Sequence, residues 1–116
     1  MKRILVVDDE KHICELYKIE LEDEGYLVTI ANSGSEALDV VDKNPPDLIV
    51  LDIQMPGMDG IETLEKLLGK DKGVPIILNT AYSHYKDDFQ TWGADAYVVK
   101  SSDTSKLKAE IKRLLG

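Results

Sequence analysis

The run Leu48-Ile49-Val50-Leu51 stops at Asp52, and the run Ile4-Leu5-Val6-Val7 stops at the pair Asp8-Asp9. Both runs are short, apolar and rich in β-branched residues, the pattern of strands buried on both faces. Such strands belong to parallel sheets covered by helices. As parallel neighbours they would bring Asp8, Asp9 and Asp52 to one edge of the sheet. Like charges repel unless a cation lies between them, and oxygen-only ligands favour a hard ion such as Mg²⁺. A hard ion at the carboxyl ends of parallel strands is a setting for phosphate chemistry.

The rest of the chain alternates in the same way. After Asp9, apolar residues recur at Ile13, Leu16, Tyr17 and Leu21 with helical spacing, and Gly25 is the natural stop. Leu27 to Ala31 reads as a strand. Ser33 or Ser35 can cap a helix carrying Ala37, Leu38, Val40 and Val41, which Asn44-Pro45-Pro46 ends. The strand to Asp52 is followed by the turn-rich Met55-Pro56-Gly57-Met58-Asp59-Gly60. A helix through Ile61, Leu64, Leu67 and Leu68 stops near Gly69, and Lys66 to Lys72 reads as a solvated loop. Pro75 to Asn79 is a strand followed by Thr80, Ser83 to Trp92 a weakly apolar helix ending at Gly93, and Tyr97 to Val99 a strand ending at Lys100. Ser102 or Asp103 caps a last helix with Leu107, Ile111, Leu114 and Leu115. This alternation predicts an α/β fold, a doubly wound parallel sheet with right-handed crossovers and helices on both faces.

Bulk properties narrow the function. The 116 residues are expected to form a single domain, 1–116, with no second domain following in the chain. A net charge of −8 argues against a nucleic-acid surface. The single Cys14 excludes an internal disulfide and a cysteine zinc site, and its spacing suggests a small core-facing helical residue. The apolar stretch near Met1 is too short for a signal peptide, and no run is long enough to span a membrane. A soluble, cytoplasmic protein is expected.

Four of the five expected strands end in polar or charged residues: Asp8-Asp9, Asp52, Thr80 and Lys100. With Val6-Val7-Asp8-Asp9-Glu10, Leu51-Asp52, Met55 to Gly60, Thr80-Ala81 and Val99-Lys100 in this order, the whole chain resembles a receiver domain of bacterial two-component response regulators. The resemblance implies a CheY-like, flavodoxin-like three-layer sandwich, with five strands in the order 2-1-3-4-5 and five helices. It implies a phosphorylatable signalling switch, not a turnover enzyme, whose self-catalysis is limited to its own phosphorylation and slow dephosphorylation. Asp52 would be the phosphoacceptor. Asp8, Asp9, Asp52 and the backbone carbonyl of Gln54 would hold Mg²⁺ or Mn²⁺. Thr80 and Lys100 would bind the phosphoryl group, Tyr97 would be the switching aromatic, and Gln54 and Tyr82 would tune the lifetime of the phosphoryl group. The implied partners are a sensor histidine kinase or histidine phosphotransfer protein, an output protein reached through the face of the fourth helix, fifth strand and fifth helix, and a phosphorylation-dependent dimer.

The chain departs from the family where Lys100 is followed by Ser101-Ser102 instead of proline. A non-proline cis bond costs about 3–4 kcal/mol, so a trans bond is expected there. The stretch from Thr80 to Lys100 is also short, which predicts a short or displaced fourth helix. Two other readings compete. A degenerate receiver would bind partners without phosphorylation, but the acids, Thr80 and Lys100 are all in place. A Mg²⁺-dependent aspartyl phosphatase would want a general acid two residues after Asp52, where Gln54 stands.

Overall fold

Five β-rich runs pair into one parallel sheet, the central ones because they are too apolar to face water on either side. In the computed structural model, which describes residues 1–53, 60–70, 73–81 and 93–116, the strands are β1 (Arg3–Val7), β2 (Leu27–Ala31), β3 (Leu48–Leu51), β4 (Ile76–Thr80) and β5 (Ala96–Val99). Their order is β2-β1-β3-β4-β5, all parallel, as the resemblance implies. The central β3 and β4 are buried at every position, whereas β2 and β5 lie at the edges and expose alternate residues. Among the described residues the helices are α1 (Lys11–Asp23), α2 (Gly34–Lys43), α3 (Gly60–Lys70) and α4 (Ser105–Leu115). The helix expected over Ser83 to Trp92, and most of the loop from Met55 to Gly60, lie outside the described residues. α4 is therefore the last helix of the chain.

Period-two alternation splits the core into two layers. From β1, Leu5 and Val7 join Ala37 and Val41 of α2 and Leu64 and Leu67 of α3. Ile4 and Val6 join Cys14, Tyr17 and Leu21 of α1 and Leu107 and Ile111 of α4. Cys14 is buried, as its spacing suggests.

The helix ends follow local chemistry. The Ser33 hydroxyl accepts the Glu36 N–H at 3.1 Å, which settles which serine caps α2. Gly25, at φ +94°, closes α1, with the Tyr26 N–H donating to the Leu21 carbonyl. Several boundaries differ from expectation; β1 begins one residue earlier at Arg3 and β5 one residue earlier at Ala96. α3 runs past Gly69 to Lys70, so Lys66 to Lys70 is helix and not loop, with Lys66 paired to Glu62. β4 is shifted one residue towards Thr80, because the ladder to β5 continues to Val99. α4 starts at Ser105 with Thr104 as its N-cap, not Ser102 or Asp103; Asp103 lies one residue outside the cap, where its carboxylate accepts the Ser105 N–H at 3.0 Å.

Candidate functional site

Parallel pairing sets the site. Val7 is in register with Leu51, so the residues that follow, Asp8 and Asp52, leave the sheet side by side. The Asp52 N–H still donates to the Val7 carbonyl at 2.9 Å, and the Asp8 N–H to Ala31 at 3.1 Å. Both carboxylates are 2% exposed, whereas Asp9 faces solvent. One oxygen from each of Asp8, Asp9 and Asp52 lies within 4.8 Å of the others. The donors are all carboxylate oxygens with a solvent-facing member, a set that suits a hard divalent cation.

That the cluster attracts cations is visible in Lys100. Its Nζ lies 2.8 Å from Asp8 Oδ2, 3.1 Å from Asp52 Oδ2 and 3.4 Å from Glu10 Oε1. Burial opposes a charge on this ammonium, but the hydrogen bond to Asp8 and the charges of Asp8 and Asp52 reverse the effect and hold its pKa above the usual value. Asp8 shows the opposite balance. Burial raises its pKa, and the bonds from Lys100 and the Glu10 N–H offset only part of that rise.

Thr80 ends β4 fully buried, and its carbonyl accepts the Lys100 N–H at 2.7 Å. The strands therefore place Thr80 and Lys100 together and aim Lys100 at Asp52. Tyr97 pairs with Leu78, packs half-buried on the layer of α2 and α3, and shares a sheet face with Thr80. Gln54 and Tyr82 lie outside the described residues.

The Lys100–Ser101 bond is trans, as the sequence predicts. The segment after Lys100 is organised by polar side chains in place of proline. The Ser101 hydroxyl accepts the Asp103 N–H at 3.1 Å, and the Thr104 hydroxyl donates to Glu20 of α1.

Three contributors escaped the sequence reading. Glu10 reaches Lys100. Asn32 Nδ2 donates to the Asp8 carbonyl at 3.0 Å and so fixes the strand end beneath the acids. Asn79 occupies a buried position between Leu78 and Thr80. Only Asn79 carried a signal, as a lone amide in a strand otherwise apolar up to Thr80.

Comparison with known proteins agrees with this geometry. The model of the response regulator receiver domain matches residues 4–112. The response regulator TrrA of Thermotoga maritima, solved in complex with Mg²⁺–BeF, is 51% identical, with 98% of this chain and 99% of that one covered and a TM-score of 0.92. The same regulator in complex with the histidine kinase ThkA covers both chains fully at a TM-score of 0.91. The PhoP transcriptional regulatory protein of Bacillus subtilis is 40% identical over 116 residues, or 98% of this chain and 48% of that protein. This chain spans about half the length of the curated relatives it matches. No helix among the described residues is long and apolar enough to cross a membrane. The chain belongs to the response regulator receiver domain family.

Proposed function

We propose that the chain is a phosphorylation-dependent signalling switch and that Asp52 is its phosphoacceptor. The observation that carries this reading is the contact of Lys100 Nζ with Asp52 and Asp8 within the acidic cluster. A carboxylate nucleophile attacking a phosphoryl group must overcome the repulsion between two anions, and a fixed cation beside it lowers that barrier.

The Asp52 oxygen attacks phosphorus, the bond from phosphorus to the donor atom breaks, and the electron pair leaves with the donor. If the donor is a phosphohistidine, that pair goes to the imidazole nitrogen. Lys100 is placed to follow the phosphoryl oxygens, and Thr80, beside it on β4, offers a hydroxyl. Asp8, Asp9, Asp52 and the Gln54 carbonyl would hold Mg²⁺, or Mn²⁺ in its stead. When bound, the ion supplies positive charge against the phosphoryl oxygens. A phosphorylated Asp52 then draws Thr80 and Lys100, and Tyr97 on the same face takes up the space that Thr80 leaves. Gln54 and Tyr82 would set how long the phosphoryl group persists. Residues 1–116 would act as one receiver domain in the cytoplasm, with catalysis limited to their own phosphorylation and its slow reversal.

By analogy with the TrrA–ThkA complex, the donor is a histidine kinase or a histidine phosphotransfer protein. The output is a protein contact or a phosphorylation-dependent dimer, since a net charge of −8 disfavours direct binding of nucleic acid by this chain.

The test is intact mass after incubation with Mg²⁺ and acetyl phosphate. The wild type should gain one phosphoryl group, and Asp52→Asn or a chelator should abolish the gain. A folded wild-type protein that takes up nothing would overturn the proposal.

A further inference from the structure

Asn79 is an amide inside a parallel sheet. It is 2% exposed, on the face of β4 covered by α1 and α4. A buried amide is costly unless both its ends are bonded. Here both are. Oδ1 accepts the Tyr17 hydroxyl of α1 at 2.8 Å, and Nδ2 donates to the Val98 carbonyl of β5 at 3.2 Å. Tyr17 is likewise 2% exposed. One chain of hydrogen bonds therefore crosses from α1 through β4 to β5.

The place of this chain is informative. Asn79 directly precedes Thr80, and Val98 stands two residues before Lys100, whose N–H is bonded to the Thr80 carbonyl. α1 itself begins directly after Asp8-Asp9-Glu10. Burial raises the pKa of the Tyr17 hydroxyl, and the charges of Lys100, Asp8 and Asp52 are all felt there. The bonds thus tie the two strands that deliver Thr80 and Lys100 to the helix that leaves the acidic pair. An apolar pair of equal volume would fill the same space without fixing a direction, because only hydrogen bonds carry one.

We infer that Tyr17 and Asn79 are positioning residues of the phosphoryl site, whose bond holds the ends of β4 and β5 so that Thr80 and Lys100 meet a phosphoryl group on Asp52. The inference rests on the reading of Asp52 as the phosphoacceptor. Neither residue touches the phosphoryl group. They act on its uptake and loss through the strand ends.

Two variants test it. Tyr17→Phe removes one oxygen and leaves Asn79 Oδ1 without its donor. Tyr17→Phe combined with Asn79→Leu replaces the whole pair by apolar groups, which restores packing without the directed bonds. The readouts are the rates of phosphoryl uptake from acetyl phosphate with Mg²⁺ and of its later loss, by intact mass, beside thermal melting. The inference expects the double variant to melt near the wild type and yet to differ from it by more than about threefold in uptake or loss, as Tyr17→Phe should too. Misplacing a reacting group by about 1 Å can cost as much as ~100-fold. If the double variant matches the wild type within that factor, the pair only fills the core and the inference falls. If Tyr17→Phe fails to fold, the double variant decides alone. A wild type that takes up no phosphoryl group sinks the Asp52 reading and this inference with it. Normal uptake and normal loss in the wild type and in both variants sink this inference alone.

Discussion

The ammonium of Lys100 lies 3.1 Å from Asp52 Oδ2, although β4 separates their strands and 48 positions separate them in the chain. The same Nζ is 2.8 Å from Asp8, so a single cation links two carboxylates that are each 2% exposed. Removing a partner from a buried ion pair commonly costs about 3–5 kcal/mol, because the remaining charge is left uncompensated. The site opens to solvent at Asp9, which lowers that figure. Lys100→Met should destabilise the metal-free protein by about 2 kcal/mol in urea unfolding at neutral pH, on the scale of an unpaired buried polar group. Saturating Mg²⁺ should return part of the loss. An unchanged midpoint without metal would show that the carboxylates do not depend on Lys100.

Asp8 gives the pH dependence. Its pKa in the folded protein is raised above the usual 3.8, chiefly by burial. The folded state therefore holds this proton to higher pH than the unfolded chain does. The stability that Asp8 contributes is complete below about 3.8 and is lost as pH rises through the higher folded value. With a chelator present, wild type should lose stability relative to Asp8→Asn as pH rises from about 4 towards 7, with a slope of at most ~1.4 kcal/mol per pH unit. With saturating Mg²⁺ the slope should turn the other way, since ligands must be deprotonated to bind. Parallel curves for the two proteins, with and without metal, would mean that Asp8 does not titrate in this range.

How legible the site was depended on the kind of signal each residue carries. Asp8, Asp9, Asp52, Thr80 and Lys100 end apolar runs, and a change from apolar to polar at a strand end can be seen in one sequence. The strand order came from the family resemblance. Alternation alone predicts a parallel sheet without fixing which strands are neighbours. The Tyr17–Asn79 bond joins residues 62 apart, and in the sequence Tyr17 is only one member of an apolar helix stripe. Its hydroxyl shows its use only when β4 is laid against α1. The role of Asp103 was half legible. A serine and an aspartate both suit a helix start, and only the backbone path after Lys100 decides which one reaches the Ser105 N–H.

Gly60 makes a tight junction. Its N–H donates to the Ile53 carbonyl at 3.2 Å, which brings the start of α3 onto the segment that follows β3. A Cβ at Gly60 would lie 2.0 Å from Ile53 Cα and 2.7 Å from the Asp52 carbonyl oxygen. Backbone cannot yield as a flexible side chain does, so Gly60→Ala must push α3 away from Asp52. The expected cost is about 3 kcal/mol, at the upper end of overpacking. Phosphoryl uptake at Asp52 should fall with it. Gly69→Ala, where a Cβ meets nothing within 4 Å, is the matched control and should be stabilising or neutral. Equal effects of the two substitutions would show that α3 does not press on the Asp52 segment.

Cys14 separates burial from reactivity. Its thiol donates to the Asp8 carbonyl at 3.4 Å and is 1% exposed. Burial, helped by the negative charge of Asp8, pushes its pKa from 9.0 up to about 11. In the unfolded chain the thiol ionises first, so the native state holds more protons between these values. The contribution to stability is complete below 9.0 and is lost as pH rises through about 11. At 1.36 kcal/mol per pKa unit the full change is about 2–3 kcal/mol. The stability advantage of wild type over Cys14→Ala should narrow by that order between pH 8 and pH 11, read by urea unfolding under reducing conditions. Over the same range the thiol should react with a soluble alkylating reagent far more slowly in the native protein than in urea, because the thiolate is both scarce and covered. Native labelling as fast as that of the unfolded chain would place Cys14 at the surface and remove it from the core beneath Asp8.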